Sequence, residues 1–597
     1  MLFSAVITAV VLTGLTEGLS LFKALDFFPV AMAWFLLTVT AGQKVFKTRG
    51  NTPAQLPVNF KIWSLSEKLL LGTIIFVCAV TAITAAVGMP NTWDAMSYHL
   101  SRVEHWMQDK TIAYYPTNMI CQLYVTPWAE FAIAHARILG GGESSANFVQ
   151  WMAMAGSLMG VSLIAGQLGA NRTGQLLASV IAVSLPMGIL QSVSTQTDYV
   201  CAFWLIVFAY FLIEVNRAFS VFYGIAAGLS LGLAILTKGN SYILSLPFLI
   251  WFLAVNLRKG FAQGLLGLLL MVICAGSLNM GQYIRNTQTF GSAMWTSVVF
   301  TNSSFDLKVL WVNLLRDMSI HLATPFADIN ESLRQTLARA AQIFGGDIND
   351  TRSTFLAMNF AMNKMNWDED YSGNFIHTIM FTMVFVLSWF YRGPGRKLLT
   401  YGLVVVASFL LFTWVIRYQP WLSRFHLPLF ILFCPVAGTV LGYFLKQKSI
   451  VLSLVLLLGA LPWLFLNIQH PWVGGLSIWK QPKPVQYFYK RLYFAMPYAS
   501  TADYVKSLNC KQVGLLTSED DWEYPWWKLL QSKGLRIEHV GVSNLSSSLK
   551  YPLGDFQPCA IIVLGPTPPL IMAGMAVYGP AWGISEGSKI TVFLKKF

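Results

Sequence analysis

Apolar positions run along this chain in long unbroken blocks, not in the alternating or one-faced patterns of soluble strands and helices. The blocks fall near 2–20, 25–43, 69–88, 146–167, 175–194, 199–215, 221–237, 240–256, 262–284, 375–391, 398–416, 427–445 and 449–467. Each approaches the roughly 20 residues that cross a bilayer as a helix. The pattern predicts a polytopic α-helical membrane protein with about thirteen transmembrane helices. The first block has no basic leader and no small-residue cleavage site, so it reads as a retained span and not as a signal peptide.

Between the blocks lie three large hydrophilic pieces, 89–145, 285–374 and 468–597. The expected division is a transmembrane module over 1–467, which includes the first two as outer loops, and a separate tail over 468–597. The tail carries short β-like runs at Gln512–Leu516, Ala560–Leu564 and 589–594, with helical stretches near 501–508 and 522–532. It reads as a small α/β domain. Cys510 and Cys559 each precede one of these runs. A disulfide between them and a pair of free thiols both stay open at this point.

Composition agrees with a membrane class: 55% of residues are hydrophobic and only 11% charged, against roughly 25% charged in globular proteins. The net charge of +14 does not indicate nucleic acid, because much of it sits in short links between apolar blocks. Lys44, Lys47, Arg49, Lys61 and Lys68 crowd the link after the second block. Arg172, Arg217, Arg258 with Lys259, Arg392 with Arg396 and Lys397, and Lys446 with Lys448 follow in alternate links. Basic links mark the cytoplasmic side, so the N-terminus is expected inside and the C-terminus outside. All three hydrophilic pieces then face out. The seven cysteines show no metal-ligand spacing.

Candidate chemistry concentrates on that outer face. Wound as a helix, 91–106 puts Asp94, Tyr98, Arg102 and His105 on one face and Met96, Leu100, Val103 and Met107 on the other. Such a helix is expected to lie in the membrane interface with its polar side up. An amphipathic helix whose polar face merely meets water is the plainer reading. Asp198, Lys238, Arg285, Arg417, Arg424 and His426 stand at outer ends of blocks or in the short links beside them. Ionisable groups at such depth usually have a partner or a job; snorkelling anchors are the plainer reading. Lysine and arginine suit a phosphate, and a carboxylate suits activation of a hydroxyl.

The stretch Asp94-Ala-Met-Ser-Tyr-His-Leu-Ser-Arg102 followed by Tyr115-Pro116 resembles the GT-C superfamily of integral-membrane glycosyltransferases. The similarity is greatest to the branch with protein O-mannosyltransferases and the lipid A aminoarabinose transferase. Thr237-Lys-Gly239, Arg285-Asn286, Glu369-Asp-Tyr-Ser-Gly-Asn-Phe-Ile-His377 and Trp421-Leu-Ser-Arg-Phe-His-Leu-Pro428 are similar to recurrent segments of bacterial members. The resemblance spans about 60–470 and implies transfer of a hexose or pentose from a polyprenyl-phosphate carrier in a bacterial inner membrane. It implies Asp94 as general base and Asp198 as a second acidic position. Tyr98, His99, Arg102, Lys238, Arg285, Arg417, Arg424 and His426 would contact substrate or the carrier phosphate. Glu369, Asp370 and His377 would complete a site for a divalent metal, Mg or Mn. A glycan, lipid or protein acceptor, membrane lipid and no nucleic acid are the implied partners. Asp94 lies between Trp93 and Ala95, so the Asp-Glu pair common in protein mannosyltransferases is absent, and two extra blocks precede the usual first. Neither a protein acceptor nor strict metal dependence therefore follows. A lipid-linked glycan polymerase or ligase, and a lipid or sugar transporter, remain as alternatives.

Overall fold

The computed structural model describes residues 1–48, 63–295, 298–391, 395–566, 568–573, 576–584 and 589–596. Arg49, Lys61 and Arg392, used above for orientation, lie outside the described residues. The chain opens with α1 (Leu2–Leu21), α2 (Phe27–Thr48) and α3 (Leu65–Val87). The first outer loop follows: a turn of π-helix over Ala95–His99, then α4 (Leu100–Asp109), α5 (Cys121–Tyr124) and α6 (Trp128–Gly140). A long helical block comes next, with α7 (Ser144–Gln167), α8 (Arg172–Val183), α9 (Pro186–Ser192), α10 (Asp198–Arg217), α11 (Val221–Thr237), α12 (Ser241–Lys259) and α13 (Phe261–Phe290). The second outer loop holds α14 (Leu307–His321) and α15 (Ala327–Ile343), before α16 (Phe375–Ser388), α17 (Gly395–Val415), α18 (Leu422–Leu445) and α19 (Ser449–Phe465).

Every apolar block falls on one of these helices or on the bent pair α8–α9. Among the described residues, eight helices are long and apolar enough to cross a membrane, or nine if α8 and α9, bent by 69°, form one span. One of the eight is the 44-residue run Leu422–Phe465, which breaks between α18 and α19 at Lys446, where φ is 49°. The helices α11 and α16 are apolar but shorter. Length and apolarity alone therefore give a polytopic membrane fold and a smaller count than thirteen.

Local chemistry sets the helix ends and the tight crossings. Ser64 Oγ accepts the Glu67 N–H and the Glu67 carboxylate accepts the Ser64 N–H, a reciprocal cap that starts α3. Gly438 and Gly442 let α18 meet α8 backbone to backbone. A Cβ at Gly438 would lie 2.5 Å from Ala178 Cα, and one at Gly442 2.6 Å from Gly174 Cα. Small residues one turn apart permit this approach, and it anchors the helix that carries Arg424.

The tail holds a six-stranded sheet: β1 (Gln512–Leu516), β2 (Arg536–His539), β3 (Ala560–Leu564), β4 (Ile571–Ala573), β5 (Ala576–Ile584) and β6 (Ile590–Lys595), in the order β2-β1-β3-β6-β5-β4. Strand β1 runs parallel to β2 and β3, and the other pairs are antiparallel. Cys510 and Cys559 precede the neighbouring strands β1 and β3 and form a disulfide, with Cα atoms 5.8 Å apart.

The first outer loop departs from the sequence reading. Leu100 through Trp106 are buried on every side, covered by α5, α6 and the tail, so this helix does not rest its apolar face in the interface. The π turn also adds a residue to the winding. Arg102 and His105 then point away from Asp94 instead of sharing its face.

Candidate active site

Asp94 leads into the π turn, and its Oδ2 accepts hydrogen bonds from Tyr98 Oη at 3.0 Å and Arg424 Nη1 at 2.6 Å. Arg424 sits in the first turn of α18 and is 6% exposed. Burial by itself would raise the Asp94 carboxyl; the Arg424 guanidinium and His99 outweigh it and hold it at about 2. Burial and the Asp94 charge push the Tyr98 phenol up, so it stays a donor.

Arg424 Nε lies 3.6 Å from Asp370 Oδ1, which extends the site to the acidic run just before α16. The Lys490 ammonium, from the tail, is 3.3 Å from Asp368 and 2.8 Å from Glu369, and also bonds Asp370. Burial pushes the Glu369 carboxyl up, Lys490 opposes this, and Asp370 and Asp368 add to it; the net direction is upward. Next to Arg424, the Phe425 ring is approached by two cations. Lys238 Nζ lies 3.9 Å from its ring centre and the Arg424 guanidinium carbon 5.3 Å. Lys238 pairs with Asp198 Oδ1 at 2.5 Å, while Asp198 Oδ2 is buried with no hydrogen-bond partner among the described residues. Each basic group thus rests on a carboxylate that an incoming anion would have to replace.

Asp94, Tyr98, Arg424, Asp370, Glu369, Asp198 and Lys238 form one continuous cluster. The other candidates direct their polar atoms elsewhere, although the His99 ring packs on that of Tyr98, 4.3 Å between centroids. His99 and Arg102 both turn inward to Glu130, and Arg102 also donates to the Val125 carbonyl at 2.6 Å. Burial raises the Glu130 carboxyl, but Arg102 and His99 dominate and hold it at about 2. Arg285 makes a two-bond pair with Glu17 of α1, at 2.7 and 2.8 Å. Arg417 bonds the Ser303 hydroxyl. His426 packs on His321, with Nδ1 3.0 Å from His321 Nε2. His377 lies 3.1 Å from Ser184 Oγ and 3.2 Å from the Ile181 carbonyl, because its place on α16 aims it at α8 and away from Glu369 and Asp370.

Sequence reasoning missed Asp368, Lys490 and Phe425. The three consecutive acids 368–370 were the available signal for the first. Lys490 stands in Tyr489-Lys-Arg-Leu-Tyr-Phe494, where nothing local marks it. By ligand type the three carboxylates suit a hard cation such as Mg or Mn, and their oxygens converge within 4.8 Å. The Lys490 ammonium already fills the position such an ion would take, and His377 is not beside it. As arranged, the residues fit an ammonium and not a resident metal, so no step below runs through one.

Residues 125–278, which include Asp198 and Lys238, match the family model of dolichyl-phosphate-mannose-protein mannosyltransferases. The fold is similar to the crystal structure of ArnT from Cupriavidus metallidurans bound to undecaprenyl phosphate, at a TM-score of 0.51 and 12% identity over 88% of this chain and 97% of that one. The chain has the GT-C fold. The apo state of ArnT matches this GT-C fold equally, at 0.51 and 13% identity over 89% and 98%. An oligosaccharyltransferase of Archaeoglobus fulgidus aligns at 0.42 and 12% identity over 82% and 68%, too distant to support an argument. No curated protein matches the sequence.

Proposed function

We propose that this chain transfers a sugar from a polyprenyl-phosphate carrier to an acceptor hydroxyl at the outer membrane face, in a single inverting displacement with Asp94 as general base. The observation that carries the reading is the Asp94–Arg424 pair, with Lys238 against the same Phe425 ring as that arginine. A GT-C fold whose solved counterpart binds undecaprenyl phosphate supports the donor class. The reading includes thirteen crossings, the N-terminus inside and the tail outside, in a bacterial inner membrane.

The acceptor oxygen bonds to the anomeric carbon as its proton passes to Asp94. The bond from that carbon to the phosphate oxygen breaks, and its electron pair leaves on the carrier phosphate. Arg424 and Lys238 stabilise the growing charge as preorganised donors do. A carboxylate held at about 2 is a weak base. When the carrier phosphate draws Arg424 away, the Asp94 carboxyl loses its largest counter-charge and rises, so one movement readies both leaving group and base.

Purified protein supplied with a polyprenyl-phosphate carrier bearing labelled sugar tests the reading. Labelled acceptor and free carrier phosphate should form in equal amounts. Movement of intact sugar phosphate across a vesicle without cleavage would replace transfer by transport.

A further inference from the structure

The segment that shapes the Asp94 turn is held from outside the transmembrane body. The Glu523 N–H, in the tail, donates to the Met96 carbonyl of the π turn at 3.0 Å. The Glu523 side chain is fully buried beside the same loop. Its Oε1 accepts from His105 Nε2 and Trp527 Nε1, both at 2.9 Å, and its Oε2 accepts from His539 Nε2 at 3.0 Å and from Gln122 Nε2. Two of these four donors, His105 and Gln122, belong to the first outer loop; the other two belong to the tail.

We infer that Glu523 is a positioning residue for transfer, one that fixes the π turn and thereby the direction in which Asp94 presents its carboxylate. The inference rests on the reading of Asp94 as base. Isolated π turns are uncommon and persist where surrounding contacts hold them. Here the contact on Met96 comes from the backbone of Glu523, and the side chain locks that backbone in place through both sides of the junction. Burial would raise the Glu523 carboxyl, but His539 and His105 hold it well below the ordinary range, so it remains an anion that accepts from all four donors. Two histidines and a glutamate are also of the kinds that bind zinc. Four hydrogen bonds already occupy both carboxylate oxygens, which favours a docking hub.

Glu523→Gln keeps the size and turns one acceptor into a donor that faces N–H groups. Amide hydrogen exchange over 95–101 in the full chain, and kcat and KM on the labelled carrier, test the inference together. Exchange in the turn should rise at least tenfold. A displacement of about 1 Å can cost roughly 100-fold in rate, so kcat should fall by ten- to a hundredfold while KM for the carrier changes less than threefold. Unchanged exchange in the turn, or a lower melting temperature with normal kcat, would overturn it. Glu523→Asp, which keeps the anion and most of the contacts, should recover part of kcat; no recovery in a folded protein would count against it. Loss of the hub on treatment with a zinc chelator would also overturn it in favour of a metal site. If Asp94→Asn keeps its turnover while Glu523→Gln loosens the turn, the base assignment has failed and the positioning contact stands.

Discussion

Arg424 Nη1 lies 2.6 Å from Asp94 Oδ2 and joins residues 330 positions apart. The contact brings the first turn of α18 onto the first outer loop, and in the proposed reaction it gives one arginine two partners, Asp94 and the carrier phosphate.

Arg424→Gln should therefore do two things. Loss of a preorganised donor at a developing negative charge typically costs about 10²–10³ in kcat, and that loss is expected in single-turnover transfer. The acidic limb of the pH–rate profile should also move up, because Asp94 loses its main counter-charge. A profile that stays in place would separate Arg424 from the base.

The same pair carries a stability prediction. The Asp94 carboxyl lies at about 2, below its ordinary 3.8, so its contribution is present above pH 4 and is lost as pH falls through about 2. By linkage it amounts to about 2 kcal/mol. Melting curves of wild type and Asp94→Asn should converge as pH drops from 4 to 2; parallel curves would mean the pair contributes nothing to folding.

Much of this was legible in the sequence, and the reason for the rest is physical. Apolar blocks locate helices because membrane spans must be continuous in sequence. Asp94 and Tyr98 came from helical spacing, since that contact is local. The same spacing failed at Arg102 and His105, because a π turn changes the winding and meets a contact from Glu523, hundreds of residues away. Lys490 and Glu17 were invisible for the same reason: their partners, the acids 368–370 and Arg285, are far off in the chain and leave no periodic trace.

Lys490→Met should leave Asp368 and Glu369 without their cation and Asp370 with Arg424 alone. Removing one partner of a buried charged pair typically costs about 3–5 kcal/mol, and the melting temperature should fall accordingly. Lowering the pH should restore part of it by protonating Glu369, whose carboxyl already lies above its ordinary range. A variant with normal melting behaviour at neutral pH would show that the acids do not need Lys490.

Orientation is accessible by labelling. In intact cells an impermeant thiol reagent should modify cysteine at exposed Ser547 and spare cysteine at exposed Gln447, in the link between α18 and α19. The opposite pattern would reverse the topology and remove the site from the outer face.

Lys238→Met tests the second cation. It keeps the apolar stem over Phe425 and deletes the charge, so loss of one charge-assisted hydrogen bond should weaken carrier binding by about 1.5–3 kcal/mol, roughly ten- to a hundredfold. Unaltered carrier affinity and single-turnover rate would reduce Lys238 to a partner of Asp198.

The most direct measurement is single-turnover transfer by purified Asp94→Asn, with carrier binding measured on the same preparation. The substitution keeps size and a hydrogen-bonding oxygen and removes the basic charge. Positioned general-base catalysis is typically worth about 10²–10⁴ in rate, so transfer should fall within that range while carrier affinity changes little. Transfer at close to the wild-type rate would contradict the account.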